Sequence, residues 1–145
     1  GSAAPPICYP DCYGIDMASF DQLVAFQAVV SLLRQAGRAD LLEACAADAR
    51  ADLAKPDAEM RNRVQPLYAQ FPFEALCAEI GRLLKPEGLA ADFAIVFQSC
   101  ANLAACIPAH TGDWYFTGHY PTPGGNRVVN RALVNFMEKI SDRAY

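Results

Sequence analysis

Residues 19–37 read SFDQLVAFQAVVSLLRQAG. Phe20, Leu23, Val24, Gln27, Val30 and Leu33 recur at helical spacing, and Gly37 stands where a helix commonly ends in a left-handed residue. Ser19 and Gln22 form a capping-box pattern, in which the hydroxyl and the carboxamide satisfy backbone donors that a helix start leaves unpaired. One stripe of this kind needs partners to bury it, and the chain that follows supplies them. A second helix spans about 40–54, rich in Ala and closed by Lys55-Pro56. Residues 57–70 form a third helical stretch, in which Pro66 predicts a kink or break. Residues 73–84, FEALCAEIGRLL, form a fourth amphipathic helix stopped by Pro86 and Gly88.

Outward from this helical centre the pattern changes. Upstream, residues 3–12 (AAPPICYPDC) carry three prolines that demand extended backbone, and a turn follows at Tyr13-Gly14-Ile15-Asp16. Downstream, DFAIVFQ at 92–98 combines β-branched and aromatic residues and predicts a strand. A short helix at 99–106 and a second strand at 114–117, WYFT, come next. The run Pro121-Thr122-Pro123-Gly124-Gly125 reads as non-helical, after which Asn126 caps a final helix striped by Val129, Leu133, Phe136 and Ile140. The expected fold class is α+β, mainly α, with five or six helices and two or three short strands. No internal repeat or low-complexity tract interrupts it.

Composition bounds the function. The 145 residues leave room for one domain, and 53% hydrophobic against 19% charged residues can bury a core. Acidic residues outnumber basic ones, 16 to 12, for a net charge of −4. The basic residues form no stripe, which argues against nucleic-acid binding. No apolar run approaches the roughly 20 residues that a membrane span requires. The six cysteines, at 8, 12, 45, 77, 100 and 106, contain no C-x-x-C pair, so no zinc or iron–sulfur motif is written. Cys45 and Cys77 fall inside amphipathic helices, where a thiol behaves as a small apolar group. Reduced thiols of this kind point to the cytoplasm.

Candidate site residues are few. Gly124, Gly125 and Asn126 precede a helix whose free N–H groups could cradle an anion, with Arg127 and Arg131 one turn apart to hold a phosphate. The motif lacks a Walker Lys-Ser/Thr pair, and an ordinary helix start or a solvated helix face remains the simpler reading. His110 and His119 flank the Trp114 segment with only Asp113 as a further metal ligand, so no metal site is expected. Cys106 and His110 lack an orienting carboxylate for nucleophilic catalysis. Asp16 is the one acidic residue that a loop presents, though such residues also satisfy turn amides.

Two segments resemble the amidophosphoribosyltransferases (glutamine phosphoribosylpyrophosphate amidotransferases). Ser2-Ala3-Ala4-Pro5 through Pro10-Asp11-Cys12-Tyr13-Gly14-Ile15-Asp16-Met17 is similar to that family's small-residue and proline stretch leading to Tyr-Gly-Ile-Asp and a helix. Ala94-Ile95-Val96-Phe97-Gln98-Ser99 with Leu103 resembles its apolar strand ending in Phe-Gln, and Phe116-Thr117-Gly118-His119-Tyr120-Pro121-Thr122 its Phe-Thr-Gly-x-Tyr-Pro-Thr close. The order agrees, and the motifs cover about a third of the chain.

The resemblance implies a C-terminal portion of such an enzyme, with 1–33 and 91–145 family-like and 34–90 a helical insertion. The opening Ala-Ala-Pro-Pro then reads as the start of a fragment, and Gly1-Ser2 as a cloning remnant. The parent reaction implied makes phosphoribosylamine from glutamine, phosphoribosyl pyrophosphate and water, the first step of purine synthesis. The catalytic Cys nucleophile and the Asp-Asp phosphoribosyl loop match nothing here, so no residue of this chain is expected to be catalytic. By motif, Tyr13, Asp16 and, less directly, Leu23 fall beside the passage that carries ammonia between the parent's two active sites. The alternative for Leu23 is a core residue. Where some members bind an iron–sulfur cluster, this chain has Asp11, Gly112 and Tyr115, so no cluster is expected. The parent would use Mg2+. Expected partners are the glutaminase and phosphoribosyltransferase parts and a possible second copy, without nucleic acid or membrane. The rival expectation is a non-catalytic helical interaction or regulatory module.

Overall fold

The computed structural model describes residues 4–11, 13, 17–107 and 112–144. Seven α-helices occupy them in this order: α1 Val24–Gln35, α2 Ala39–Asp52, α3 Gln65–Tyr68, α4 Phe73–Leu84, α5 Cys100–Cys106, α6 Trp114–Thr117 and α7 Pro123–Glu138. Short 3-10 turns precede α1 at Phe20–Gln22 and α3 at Asp57–Glu59. The fold is therefore all-helical among the described residues, not α+β. Asp11 pairs with Met17 in an isolated antiparallel bridge, Phe97 takes part in another isolated bridge, and no sheet forms among the described residues.

Each local correction has a physical reason. WYFT at 114–117 is a single helical turn, because Gly118 closes it in the left-handed region (φ 76°) with its N–H on the Trp114 carbonyl at 2.7 Å. The 92–98 segment is non-helical and pairs at Phe97 in an isolated bridge, and a single bridge without a run of cross-strand pairs does not make a sheet. It lies instead against α4, with the Ile95 backbone beside Gly81. Pro123 does not exclude a helix; it starts one, at the position where the missing N–H would have had no partner. Thr122, rather than Asn126, is the N-cap. Pro66 likewise lies in the first turn of α3 and begins a helix instead of breaking one. Ser19 caps the 3-10 turn through the Asp21 N–H at 3.2 Å, so α1 starts only after Leu23.

The long helices follow the predicted stripes. α4 has the predicted bounds, 73–84, and Gly37 is left-handed (φ 67°) just after α1. α1 packs on α4 and α2, and α2 on α7, around a core of Phe20, Leu23, Phe26, Val29, Leu33, Ile80 and Leu133. Phe20 stacks on Phe26 at 4.0 Å, and Phe136 meets Phe26 edge-on at 5.0 Å. Leu42, Cys45, Ala49, Val64, Leu67 and Leu76 join the same core, so residues 34–90 are integral to it. Cys45 is buried as expected, while Cys77 is only half-buried. No helix of the described residues is long and apolar enough to cross a membrane.

Two buried carboxylates tie the helix ends. Asp52, 1% exposed, accepts from Arg63 Nε and Lys55 Nζ, both at 2.6 Å. These hydrogen bonds, Arg63's first, hold its carboxyl at about 2 against an ordinary 3.8. The Arg82 guanidinium (2.9 and 2.7 Å), with Ser31 and Gln35 adding to it, holds Glu79 at about 2 against 4.5. Lowered folded values mean a stabilisation complete above the ordinary carboxylate range and lost as pH falls through about 2. Because the partner cations are partly solvated, each contributes on the order of 1 kcal/mol. Urea unfolding at pH 6 and pH 2.5 should therefore show a stability loss, and Asp52→Asn should flatten that pH profile by about 1 kcal/mol. A variant whose profile parallels the parent's would remove Asp52 from the acid response.

Candidate functional site

The proline-rich N-terminal segment and the 114–122 region meet. The proline-rich segment runs extended to Asp11, and the N–H groups of Cys8 and Tyr9 both donate to the Tyr115 carbonyl, at 2.9 and 3.1 Å. Asp11 N–H donates to Met17 O at 3.1 Å in an isolated antiparallel bridge. The Asp11 carboxylate, 2% exposed, accepts from Tyr13 N at 2.8 Å and from the Trp114 indole at 3.4 Å. Tyr13 meets Trp114 edge-on at 5.4 Å and lies 6.5 Å from the Tyr120 ring. Its hydroxyl pairs with Thr122 Oγ1, and the Tyr120 hydroxyl donates to the Pro10 carbonyl. Segments about a hundred residues apart thus form one wall of aromatic rings and buried polar contacts.

Beside this wall lies an apolar groove of about 530 Å3, lined by Pro5, Ile7, Met17, Leu23, Leu84 and Phe97 among others. Tyr13 is 47% exposed at the junction, whereas Leu23 is 1% exposed and reaches the groove only at its edge. Asp16, Cys12 and His110 lie outside the described residues. The sequence reading named Asp11 only as a position where some family members have a cluster ligand, and Trp114 only as the segment between the histidines; an Asp two residues before Tyr13 is also the signature of an Asx turn.

The proposed phosphate pair at α7 is not assembled. Arg127 donates to Asp57 Oδ1 (2.5 Å), Leu53 O (2.8 Å) and Lys55 O (2.6 Å), so its guanidinium is committed to the loop after α2. Arg131 is exposed and makes no ion pair with a described residue. The Asp57 carboxylate also sits near Gly124, so a resident anion occupies the helix start. Gly125 packs directly on the Tyr120 ring, and Asn126 donates to Met60 O at 3.1 Å. One turn on, the fully buried Asn130 accepts from Arg63 N (3.0 Å) and donates to Arg61 O (2.8 Å), which fixes the loop at 60–63.

Burial pushes the thiols up: Cys8, whose Sγ points at Pro6 O (3.4 Å), reaches about 12, and Cys45, Cys77 and Cys100 are raised too. Such thiols are poor nucleophiles at neutral pH. Among the described residues no group of His, Cys, Asp and Glu gathers to hold a metal ion. What the wall offers is an aromatic shape held by hydrogen bonds between distant segments. No protein-family model, no curated protein and no solved structure matches this chain.

Proposed function

We propose that the chain is the C-terminal portion of an amidophosphoribosyltransferase-like enzyme. That enzyme converts glutamine, phosphoribosyl pyrophosphate and water into phosphoribosylamine, glutamate and pyrophosphate. The observation that supports this reading most is the junction: Tyr13, from the first matched motif, packs against Tyr120 and Thr122 of the second and against neighbouring Trp114. On this reading the chain positions and the rest of the enzyme reacts. The glutaminase Cys, the Asp-Asp loop and its Mg2+ belong to the preceding parts, in the cytoplasm. The junction and the groove form an apolar surface beside the ammonia passage, with Tyr13 at its rim; Asp16 is assigned to that passage by motif alone. Leu23 supports that surface by packing.

A second reading, a helical interaction or regulatory module, draws on exposed apolar side chains: Val96 is 66% exposed, and Phe93 and Leu84 are exposed beside it. The two separate on the reading frame upstream of Ser2. A frame encoding a Cys-initiated glutaminase domain and an Asp-Asp phosphoribosyl loop supports the enzyme, and a start Met close to Ala3 rejects it. The isolated 145-residue chain is expected to release no glutamate from glutamine in a coupled assay. Measurable hydrolysis by the purified chain would contradict the assignment of its catalytic groups elsewhere.

A further inference from the structure

A second concavity, about 530 Å3, lies between the 60–66 loop and residues 118–120, on the other side of Tyr120 from the junction. Its walls are tied to each other. Asn62 donates to Gly118 O (3.2 Å) while its Oδ1 accepts from the N–H groups of Val64 (3.0 Å) and Gln65 (3.2 Å), and Gln65 Nε2 donates to Thr117 O (3.2 Å). The concavity is therefore preformed, and no ordering of loops opposes binding there. Arg61, Arg63 and His119 line it, and no carboxylate of the described residues does. Arg63 is neutralised from behind by Asp52 (2.6 Å) and Asp48 (3.6 Å). Arg61 and His119 are exposed, and neither side chain pairs with a described residue. A rigid polar cleft with an uncommitted guanidinium and imidazole, and no acid among its lining residues, is built for an oxygen-rich anion. Its volume exceeds that of a lone phosphate and leaves room for a small polar body.

We propose that this cleft binds the phosphoryl group of a small phosphorylated metabolite, clamped by the Arg61 guanidinium and hydrogen-bonded by His119. The proposal rests on the cleft alone and is independent of the reaction assigned above. The test is an NMR titration of the 145-residue chain with glucose 6-phosphate, with inorganic phosphate, and with sodium chloride at matched ionic strength. The expected result is a saturable shift of the His119 ring signals with the ester in the millimolar range, weaker binding of free phosphate, and no saturation with chloride. Arg61→Gln, an exposed and fold-neutral change, should weaken ester binding at least about tenfold, while Arg131→Gln leaves it unchanged. Shifts that stay linear to about 50 mM, or Arg61→Gln binding like the parent, would overturn the site. Tighter binding of free phosphate than of the ester would overturn the metabolite assignment.

Discussion

Leu23→Asp is expected to cost the chain about 3–5 kcal/mol, most of the stability of a domain this size. Leu23 is 1% exposed between the 3-10 turn and α1, and its carbonyl accepts the N–H groups of Phe26 (3.0 Å) and Gln27 (3.1 Å). An aspartate there buries a charge with no cation beside it and removes a core side chain; its position as N-cap of α1 offsets only part of that cost. Urea unfolding measures the loss, and Leu23→Ala, which leaves only a cavity, should cost about 2–3 kcal/mol. In an intact enzyme, packing predicts that glutamine-dependent and ammonia-dependent synthesis fall together in Leu23→Ala. A selective loss of the glutamine-dependent rate, with ammonia still used, would instead make Leu23 part of the passage wall.

Gly118→Val should cost about 3 kcal/mol or more and lower Tm by roughly 10 °C. Gly118 has φ 76°, and a Cβ there would stand 2.7 Å from Asn62 Nδ2 and 2.8 Å from Tyr9 Cζ. Two penalties combine, a left-handed backbone for a β-branched residue and overlap with a buried ring. Gly37→Ala separates them: it too is left-handed (φ 67°) but has nothing within 4 Å of its Cβ, so about 1 kcal/mol is expected. Equal losses in the two variants, read by thermal melting, would show that the contact with Tyr9 and Asn62 is unimportant.

The helices were legible where an apolar stripe coincided with strong stops. α4 begins after Pro72 and ends before Pro86, and its predicted and observed bounds coincide. Legibility failed where a segment's fate depends on a partner. The 92–98 stretch carries a strand's residues, yet it packs on α4 and pairs at Phe97 in an isolated bridge, and the aromatic run at 114–117 is turned into a helix by a left-handed glycine. The Pro-Gly-Gly run misled for a different reason. Glycine in a first helical turn costs about 1 kcal/mol, which the packing of Gly125 on Tyr120 offsets.

The candidate site was legible only in part. Tyr13 was found by motif, and the structure gives it partners that no spacing reveals, Trp114 and Thr122. Arg127 was a candidate anion ligand beside the simpler reading of a solvated or ion-paired helix face, and its donors are spent on Asp57 and on the backbone carbonyls of Leu53 and Lys55. Carbonyl acceptors leave no mark in a sequence, so an arginine one turn from another reads as free until the loop is seen. Arg61 went unnoticed for the converse reason: nothing in its neighbours signals a cleft that Asn62 and Gln65 build from a distant segment.

The most direct test of the central claim is an assay of the natural protein that carries residues 1–145 in its own reading frame. Purified with Mg2+, it should form phosphoribosylamine and pyrophosphate from glutamine and phosphoribosyl pyrophosphate, with glutamate released in step. Absence of phosphoribosyl pyrophosphate consumption with either glutamine or ammonia as nitrogen donor would contradict the account.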